Sequence, residues 1–250
     1  MVSGAGDQQL DVIVSKLKSR FGVEAVLSPA KIAYRERIKK KVEAHGRHKK
    51  QTGGSGQFGD VWIRFEPQDE QDDLIFAEEV FGGSVPRNFY PAVEKGLQEA
   101  VQKGPLAGYP MVGLKATLYD GSYHPVDSND MAFQTAARLA YQDGIPKAKP
   151  TILEPIGLLQ VTIPDENLGD IMSDISSKRR GTVLGMNAED GMQTVEAEVP
   201  MAEMSSYTID LRSMTQGRGS FTCKFIRYEE APGNVQQKVI EEAKALAEQE

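Results

Sequence analysis

Three groups of residues have types and spacings that could do chemistry. The first is Gln51-Thr52-Gly53-Gly54-Ser55-Gly56-Gln57-Phe58-Gly59, which holds Gly54-x-Gly56-x-x-Gly59, the spacing of a dinucleotide-binding turn. That turn needs an apolar strand before it and a helix after it, so that a pyrophosphate can sit on the helix N-terminus. Here the preceding segment, Lys39 to Lys50, is basic, and the following one, Asp60-Val61-Trp62-Ile63-Arg64-Phe65, alternates like a half-buried strand. A glycine-rich turn between such flanks reads as a hairpin tip. The second group is the three histidines, His45, His48 and His124. A zinc site would need them to converge with a fourth ligand, and the single Cys223 lies in a distant strand. The third is Ser122, His124 and Asp127, the types of a hydrolytic triad, but they are neighbours in one loop without a nucleophile-elbow sequence.

Other polar groups are less suited to catalysis. Glu78-Glu79 and Glu229-Glu230 are adjacent in extended segments, so each pair points to opposite faces and is best read as solvated. No phosphate loop of the G-x-x-x-x-G-K-[ST] type occurs. The expectation is therefore no catalytic residue, no cofactor and no metal in this chain. Tyr123 and His124 beside small residues could instead stack on a base or bond to a phosphate or ribose hydroxyl. The competing readings are a core aromatic at a strand end for Tyr123, a satisfied turn residue for His124 and plain tight turns for the glycines.

Charge sharpens this picture. The 250 residues carry a net charge of -7, which argues against a general nucleic-acid binder. Yet residues 31–50 hold nine Lys or Arg against two Glu, a local +7 that leaves -14 for the rest. One concentrated basic edge on an acidic body suggests a single surface facing a polyanion, or else a solvated, protected strand edge. Composition is that of a soluble globular protein, with 40% hydrophobic and 26% charged residues. No apolar run could span a bilayer and no signal-peptide pattern opens the chain, so a cytoplasmic location without membrane contact is expected. A single cysteine excludes an intrachain disulfide framework.

The elements that must position these groups follow from periodicity. Leu10, Ile13, Val14, Leu17 and Phe21 mark an amphipathic helix ended at Gly22, and Val23–Leu27 reads as a short strand. Too little for a domain, residues 1–32 read as the tail of one that begins elsewhere. A long basic strand is predicted from Ala33 to Lys50, then strands with Val61, Ile63 and Phe65 inward, at Leu74–Phe81 and at Met111–Tyr119. A helix follows Pro86, and another spans Asn129–Gln142 with Ser128 as its cap. Lys147–Pro150 reads as a linker. Beyond it, Leu158–Ile163, the Leu168–Ile175 helix, Thr182–Met186, Thr194–Val199, the Met204–Leu211 helix and the Phe221–Phe225 strand follow the βαββαβ order of a ferredoxin-like unit. Val235, Val239, Ala243 and Leu246 form a last amphipathic helix, read as docking back on the first unit.

The loops resemble a known family. The Gln51–Gly59 segment, Gly104-Pro105-Leu106-Ala107-Gly108-Tyr109-Pro110 and Gly121-Ser122-Tyr123-His124 are together similar to bacterial translation elongation factor G. So are Leu153-Glu154-Pro155-Ile156, Glu198-Val199-Pro200, Leu211-Arg212-Ser213, Gly217-Arg218 and Glu230-Ala231-Pro232, in order along nearly the whole chain. The resemblance implies an α+β fold. Residues 1–32 would be a remnant of the factor's third domain, and 33–150 an elongated ribosomal-protein-S5-like fourth domain with tip loops 51–59 and 121–127. Residues 151–229 would be the ferredoxin-like fifth domain, and 230–250 a C-terminal helix packing back on the fourth.

The resemblance also implies a function. The chain would be the ribosome-binding C-terminal portion of a translational GTPase whose fourth domain enters the decoding region during translocation. GTP and magnesium would belong to the full-length parent alone, and this monomeric fragment would not be an enzyme. Its partners would be the 16S decoding region, the 23S GTPase-associated region and the tRNA–mRNA duplex. The RNA-facing residues would be Gly53, Gly54, Ser55, Gly56, Gln57, Ser122, Tyr123 and His124. The family often has Arg where Ser55 stands and Asp where Pro125 stands. A paralogous factor acting in ribosome recycling, or a tetracycline-protection type factor, therefore stays open beside a translocase.

Overall fold

The computed structural model describes residues 7–27, 31–51 and 56–247. In chain order the first elements are α1 (Asp7–Phe21), β1 (Arg35–Ile38), β2 (Val42–Lys50), β3 (Gln57–Pro67), β4 (Ile75–Glu78) and α2 (Tyr90–Ala100). Then come β5 (Leu114–Ser122), α3 (Asp130–Gly144), β6 (Pro150–Pro164), α4 (Leu168–Ser173), β7 (Thr182–Glu189) and β8 (Met192–Pro200). The last are α5 (Tyr207–Thr215), β9 (Ser220–Glu230) and α6 (Gly233–Ala247). Contacts divide the chain into two compact units, Ala33–Glu154 with Tyr228–Glu250, and Met1–Ile32 with Pro155–Arg227.

In the unit Ala33–Glu154 with Tyr228–Glu250, a four-stranded sheet has the order β2-β3-β5-β4. β2 and β3 form an antiparallel hairpin from Val42↔Phe65 to Lys50↔Gln57, and β4 runs parallel to β5. Alternation puts Val61, Ile63, Phe65, Leu114, Ala116 and Leu118 on one face, where they pack with Val93, Leu97, Phe133 and Ala137 of α2 and α3. α3 can lie this close because the contact is made of small residues. A Cβ on Gly59 would sit 2.5 Å from the Ala132 carbonyl oxygen, and one on Gly46 would collide with Ala136 and Ala140, which repeat at i, i+4 and i+8 with Ala132.

Three elements differ from the sequence expectation. The long Ala33–Lys50 strand is two strands, β1 and β2, which enter different sheets. Consecutive residues of a strand face opposite sides, so a strand through Lys39-Lys40-Lys41 would send a lysine toward the core. The chain breaks there instead, and the Lys39 and Lys40 amides donate to the Ala148 carbonyl at 3.1 and 3.0 Å. Residues Val23–Leu27 are irregular rather than a strand; Val26 is 93% exposed and no partner ladder is offered. Pro150 opens the 15-residue β6 instead of ending a linker. Proline is tolerated as a first strand residue, where its missing N–H costs little.

α6 belongs to this same unit. The Gln236 side chain donates to Thr151 Oγ1 at 2.9 Å and accepts from the Ile152 amide at 3.3 Å, and Val239 is buried. In the other unit the antiparallel order is β9-β6-β8-β7, with α4 and α5 as crossovers, the ferredoxin-like βαββαβ arrangement. Leu159, Val161, Ile163, Val195, Ala197 and Val199 pack against Ile171, Ile175, Tyr207 and Leu211. Asp190 and Gly191, both at positive φ, make the turn between β7 and β8. Buried Arg179 joins α4's C-terminal side to α5, donating to Asp174 at 2.6 Å and to Asp210, with its guanidinium 4.5 Å from the Tyr207 ring centre.

Candidate functional site

The β2–β3 hairpin and the loop after β5 meet at one end of their sheet. Gly53, Gly54 and Ser55 lie outside the described residues; Gly56 and Gln57 lie inside them. The Phe58 amide donates to the Asp127 carbonyl at 2.9 Å. Ser128 Oγ donates to the Phe58 carbonyl at 2.9 Å and accepts from the His124 amide at 2.8 Å. Gly56 passes so near the second loop that a Cβ there would be 2.6 Å from Asp127 Oδ1. One hydroxyl and one backbone bond thus tie the two loops into a single tip. The sequence reading had Ser128 as the cap of α3. The cap is Asn129, whose side chain accepts from the Ala132 amide at 2.9 Å, which frees Ser128 for the bridge.

The side chains on this tip are held from below. Ser122 Oγ donates to Asp60 Oδ2 at 2.6 Å, and Asp60 Oδ1 meets His45 Nε2 at 2.5 Å. His48 Nε2 lies 2.9 Å from Gln57 Oε1. His124 Nδ1 lies 3.1 Å from Asp127 Oδ2, and its ring is 6.3 Å from that of Phe58, over which the Arg47 guanidinium sits at 5.5 Å. Tyr123 is 45% exposed and projects beyond these contacts. Arg47, Lys49 and Lys50 are exposed on the edge strand, with no ion pair recorded for them among the described residues.

These distances decide between the chemical readings. Ser122 and His124 do not meet, since the serine proton goes to Asp60; a nucleophile needs its base within hydrogen-bond reach, so the triad is not assembled. Each histidine has its own separate partner, and among the described residues no group of three His, Cys, Asp or Glu could hold a metal ion. The exposed groups here are aromatic and imidazole rings beside the cations Arg47, Lys49 and Lys50, types suited to contact with a polyanion. The sequence missed Phe58, Asp60, Ser128 and Arg47 as parts of it. Only Arg47 had a signal, its place in the basic run.

A second glycine-rich segment behaves differently. The Glu36 side chain, fully buried on β1, accepts from the amides of Leu106 at 2.8 Å, Ala107 at 2.9 Å and Tyr109 at 3.1 Å. Burial pushes its carboxyl above the ordinary range, while these N–H groups pull it back down. The Gly104–Pro110 loop is therefore an anion nest already filled by the chain's own carboxylate.

Comparison with known proteins divides the chain near residue 150. "Elongation factor G, domain IV" matches residues 30–149, and "Elongation factor G C-terminus" matches residues 151–239. This chain belongs to the elongation factor G family. An elongation factor G-like protein of Thermotoga maritima is 50% identical over 252 residues, covering 100% of this chain and 37% of that protein. A crystal structure of a Thermus thermophilus protein superposes with a TM-score of 0.88 at 44% identity, over 97% of this chain and 36% of the other. The chain thus spans little more than a third of these relatives. Its domain IV is of the ribosomal-protein-S5-like type and carries the tip; its C-terminal domain is of the ferredoxin-like type. No helix among the described residues is long and apolar enough to cross a membrane.

Proposed function

We propose that this chain is the ribosome-engaging C-terminal portion of an elongation-factor-G-like GTPase. Its domain IV tip enters the decoding region of the small subunit, against 16S RNA and the tRNA–mRNA duplex, and promotes translocation. The C-terminal domain faces the GTPase-associated region of 23S RNA, and residues 1–32 belong to a preceding third domain. GTP and magnesium act elsewhere in the longer factor, in the cytoplasm, and this portion does no chemistry of its own. The observation that carries the reading is the Ser128 bridge, which ties Phe58 at the start of β3 to His124 in the 121–127 loop. A factor that follows every codon must read shape, phosphate and ribose rather than base sequence. A tip of Gly56, Gln57, Ser122, Tyr123 and His124 over a basic strand offers small residues and rings, which suit that task.

The test is His124→Ala in the full-length factor. Translocation slows about 10-fold or more, while ribosome-stimulated GTP hydrolysis is kept, because the substituted group acts far from the nucleotide. Translocation at the unmodified rate overturns the assignment. A recycling paralogue is the second reading. Pro125, which stiffens the histidine loop, fits it as well as a translocase, and the name of the Thermotoga relative, elongation factor G-like, supports it. A variant-sensitive ribosome-splitting assay with an insensitive translocation assay would select it over the translocase. A tetracycline-protection type factor ranks lower, since the Gly-Ser-Tyr-His loop is retained.

A further inference from the structure

The sheet of domain IV has a second face, opposite α2 and α3, and its side chains form a row of rings and cations. Phe58, Trp62 and Arg64 project there from β3, alternating with the buried Val61, Ile63 and Phe65. His45 stacks on Trp62 with ring centres 4.4 Å apart and planes 12° from parallel. Arg47 lies over Phe58 at 5.5 Å, and Arg64 over Tyr119 at 5.1 Å. Trp62 is 39% exposed and the His45 side chain 37%, so the stack keeps open surface. The row continues to the tip, because the Phe58 ring also meets that of His124.

Charge on this face is not balanced evenly. Its acids are hydrogen-bonded locally without all being neutralised: Asp60 with His45 and Ser122, Glu43 and Glu79 with the single Arg64, Asp120 with the Gly121 amide. Arg47 and Lys49, which alternate with the buried Ala44 and Gly46 and so share this face with His45, make no ion pair among the described residues and line the edge beside the rings. Phe58 and Trp62 are four residues apart on one strand, about 13 Å at ~3.3 Å per residue, several times the ~3.4 Å step of a stacked strand, so the two rings take bases with at least one nucleotide between them. Bases inside a duplex are already stacked on each other; only unpaired ones can stack on protein rings.

We propose that this outward face of the domain IV sheet is a stacking platform for unpaired nucleotides of single-stranded RNA. His45–Trp62 and Phe58 take the bases, and Arg47 and Lys49 take the phosphates. It adds a second RNA surface to the tip and does not depend on which ribosomal step the tip serves. Stacking is indifferent to base identity, so binding is expected with little sequence preference.

Trp62 is the sole tryptophan, so its emission reports on the platform alone. The intact chain is titrated at low salt with an unstructured, labelled oligoribonucleotide of about 12 nucleotides, within the usual site sizes for such surfaces. Saturable quenching of Trp62 is expected, together with a rise in label anisotropy. Trp62→Ala weakens binding about 5- to 100-fold, the range for losing one stacked base. His45→Ala weakens it with Trp62 still in place, which covers the case of a misfolded Trp62→Ala, and Arg47→Glu with Lys49→Glu weakens it and flattens its salt dependence. Lys147→Ala, a loss of charge beside α3, leaves it unchanged. Absence of binding, binding without a change in Trp62 emission, or equal affinity for duplex RNA overturns the proposal. None of these outcomes bears on the His124→Ala translocation assay, so failure of the platform and failure of the tip reading are told apart.

Discussion

The two glycine-rich loops of domain IV contrast in what they do with their polar groups. In Gly104–Pro110 the amides converge on a buried acceptor from the same chain, Glu36, and a Cβ on Gly104 would collide with that carboxylate. The loop has no donor to spare. At the tip, Gly56 and Gly59 serve close approach to Asp127 and Ala132, while His124, Tyr123 and the neighbouring cations face solvent. Both loops are rich in glycine, two in seven residues at 104–110 and four in nine at 51–59; whether a partner in the chain already uses the donors is what separates an internal brace from an external contact surface. Glu36→Ala is the largest break in that comparison. Three amides lose a charged acceptor, and domain IV is expected to lose about 3 kcal/mol, read from urea unfolding. His124→Ala, on the open loop, should cost less than about 0.5 kcal/mol in the same experiment.

Ser128→Ala comes next. It removes the hydroxyl link between the two tip loops, leaving the Phe58–Asp127 backbone bond, and should cost about 1–2 kcal/mol. It should also speed amide exchange at His124, which has Ser128 Oγ as its acceptor, without speeding it at Leu106 or Ala107 in the braced loop. Equal acceleration in both loops would mean that the tip is not a separate unit of structure.

A smaller contrast is one of pH, between carboxylates of the two domains. Burial raises the folded-state pKa of Glu36 above its ordinary 4.5. The folded form then holds its proton more tightly than the unfolded one. This contribution is present in full below about 4.5 and is lost as pH rises through the folded value. Asp210 is the reverse: hydrogen bonds from Lys178 first, then Arg179 and Ser206, lower it below 3.8. Its contribution is present above that value and disappears as pH falls through the folded one. The stability gap between the unmodified chain and Glu36→Gln should therefore shift against the unmodified chain with rising pH. The gap to Asp210→Asn should grow in its favour. Parallel pH trends for the two pairs would contradict these electrostatics.

The sequence carried the fold where the pattern was local. Val61, Ile63 and Phe65 alternate and are buried, Asp190-Gly191 makes the turn its residue types demand, and the βαββαβ order is visible from periodicity alone. It misled where a distant partner decided. The lysine run breaks a strand because Ala148, over a hundred residues on, supplies the acceptor. Pro150 starts a strand because β1 offers an edge to pair with. The hairpin tip was legible from its flanks, and the histidine loop from its residue types. The bridge between them was not, because Ser128 has nothing in its own neighbourhood to distinguish a helix cap from a loop clasp. Glu36 was equally silent, since its partners lie about 70 residues away.

The central claim is that the tip faces the decoding region. Val126 is 82% exposed in the second tip loop, so a cysteine placed there can carry a tethered iron chelate. In the full-length factor, with Cys223 and any other accessible cysteine replaced, hydroxyl radicals from that chelate on a ribosome trapped before translocation should cleave 16S RNA in the decoding region. Cleavage confined to 23S RNA, or to no ribosomal RNA while the factor is bound, would contradict the account.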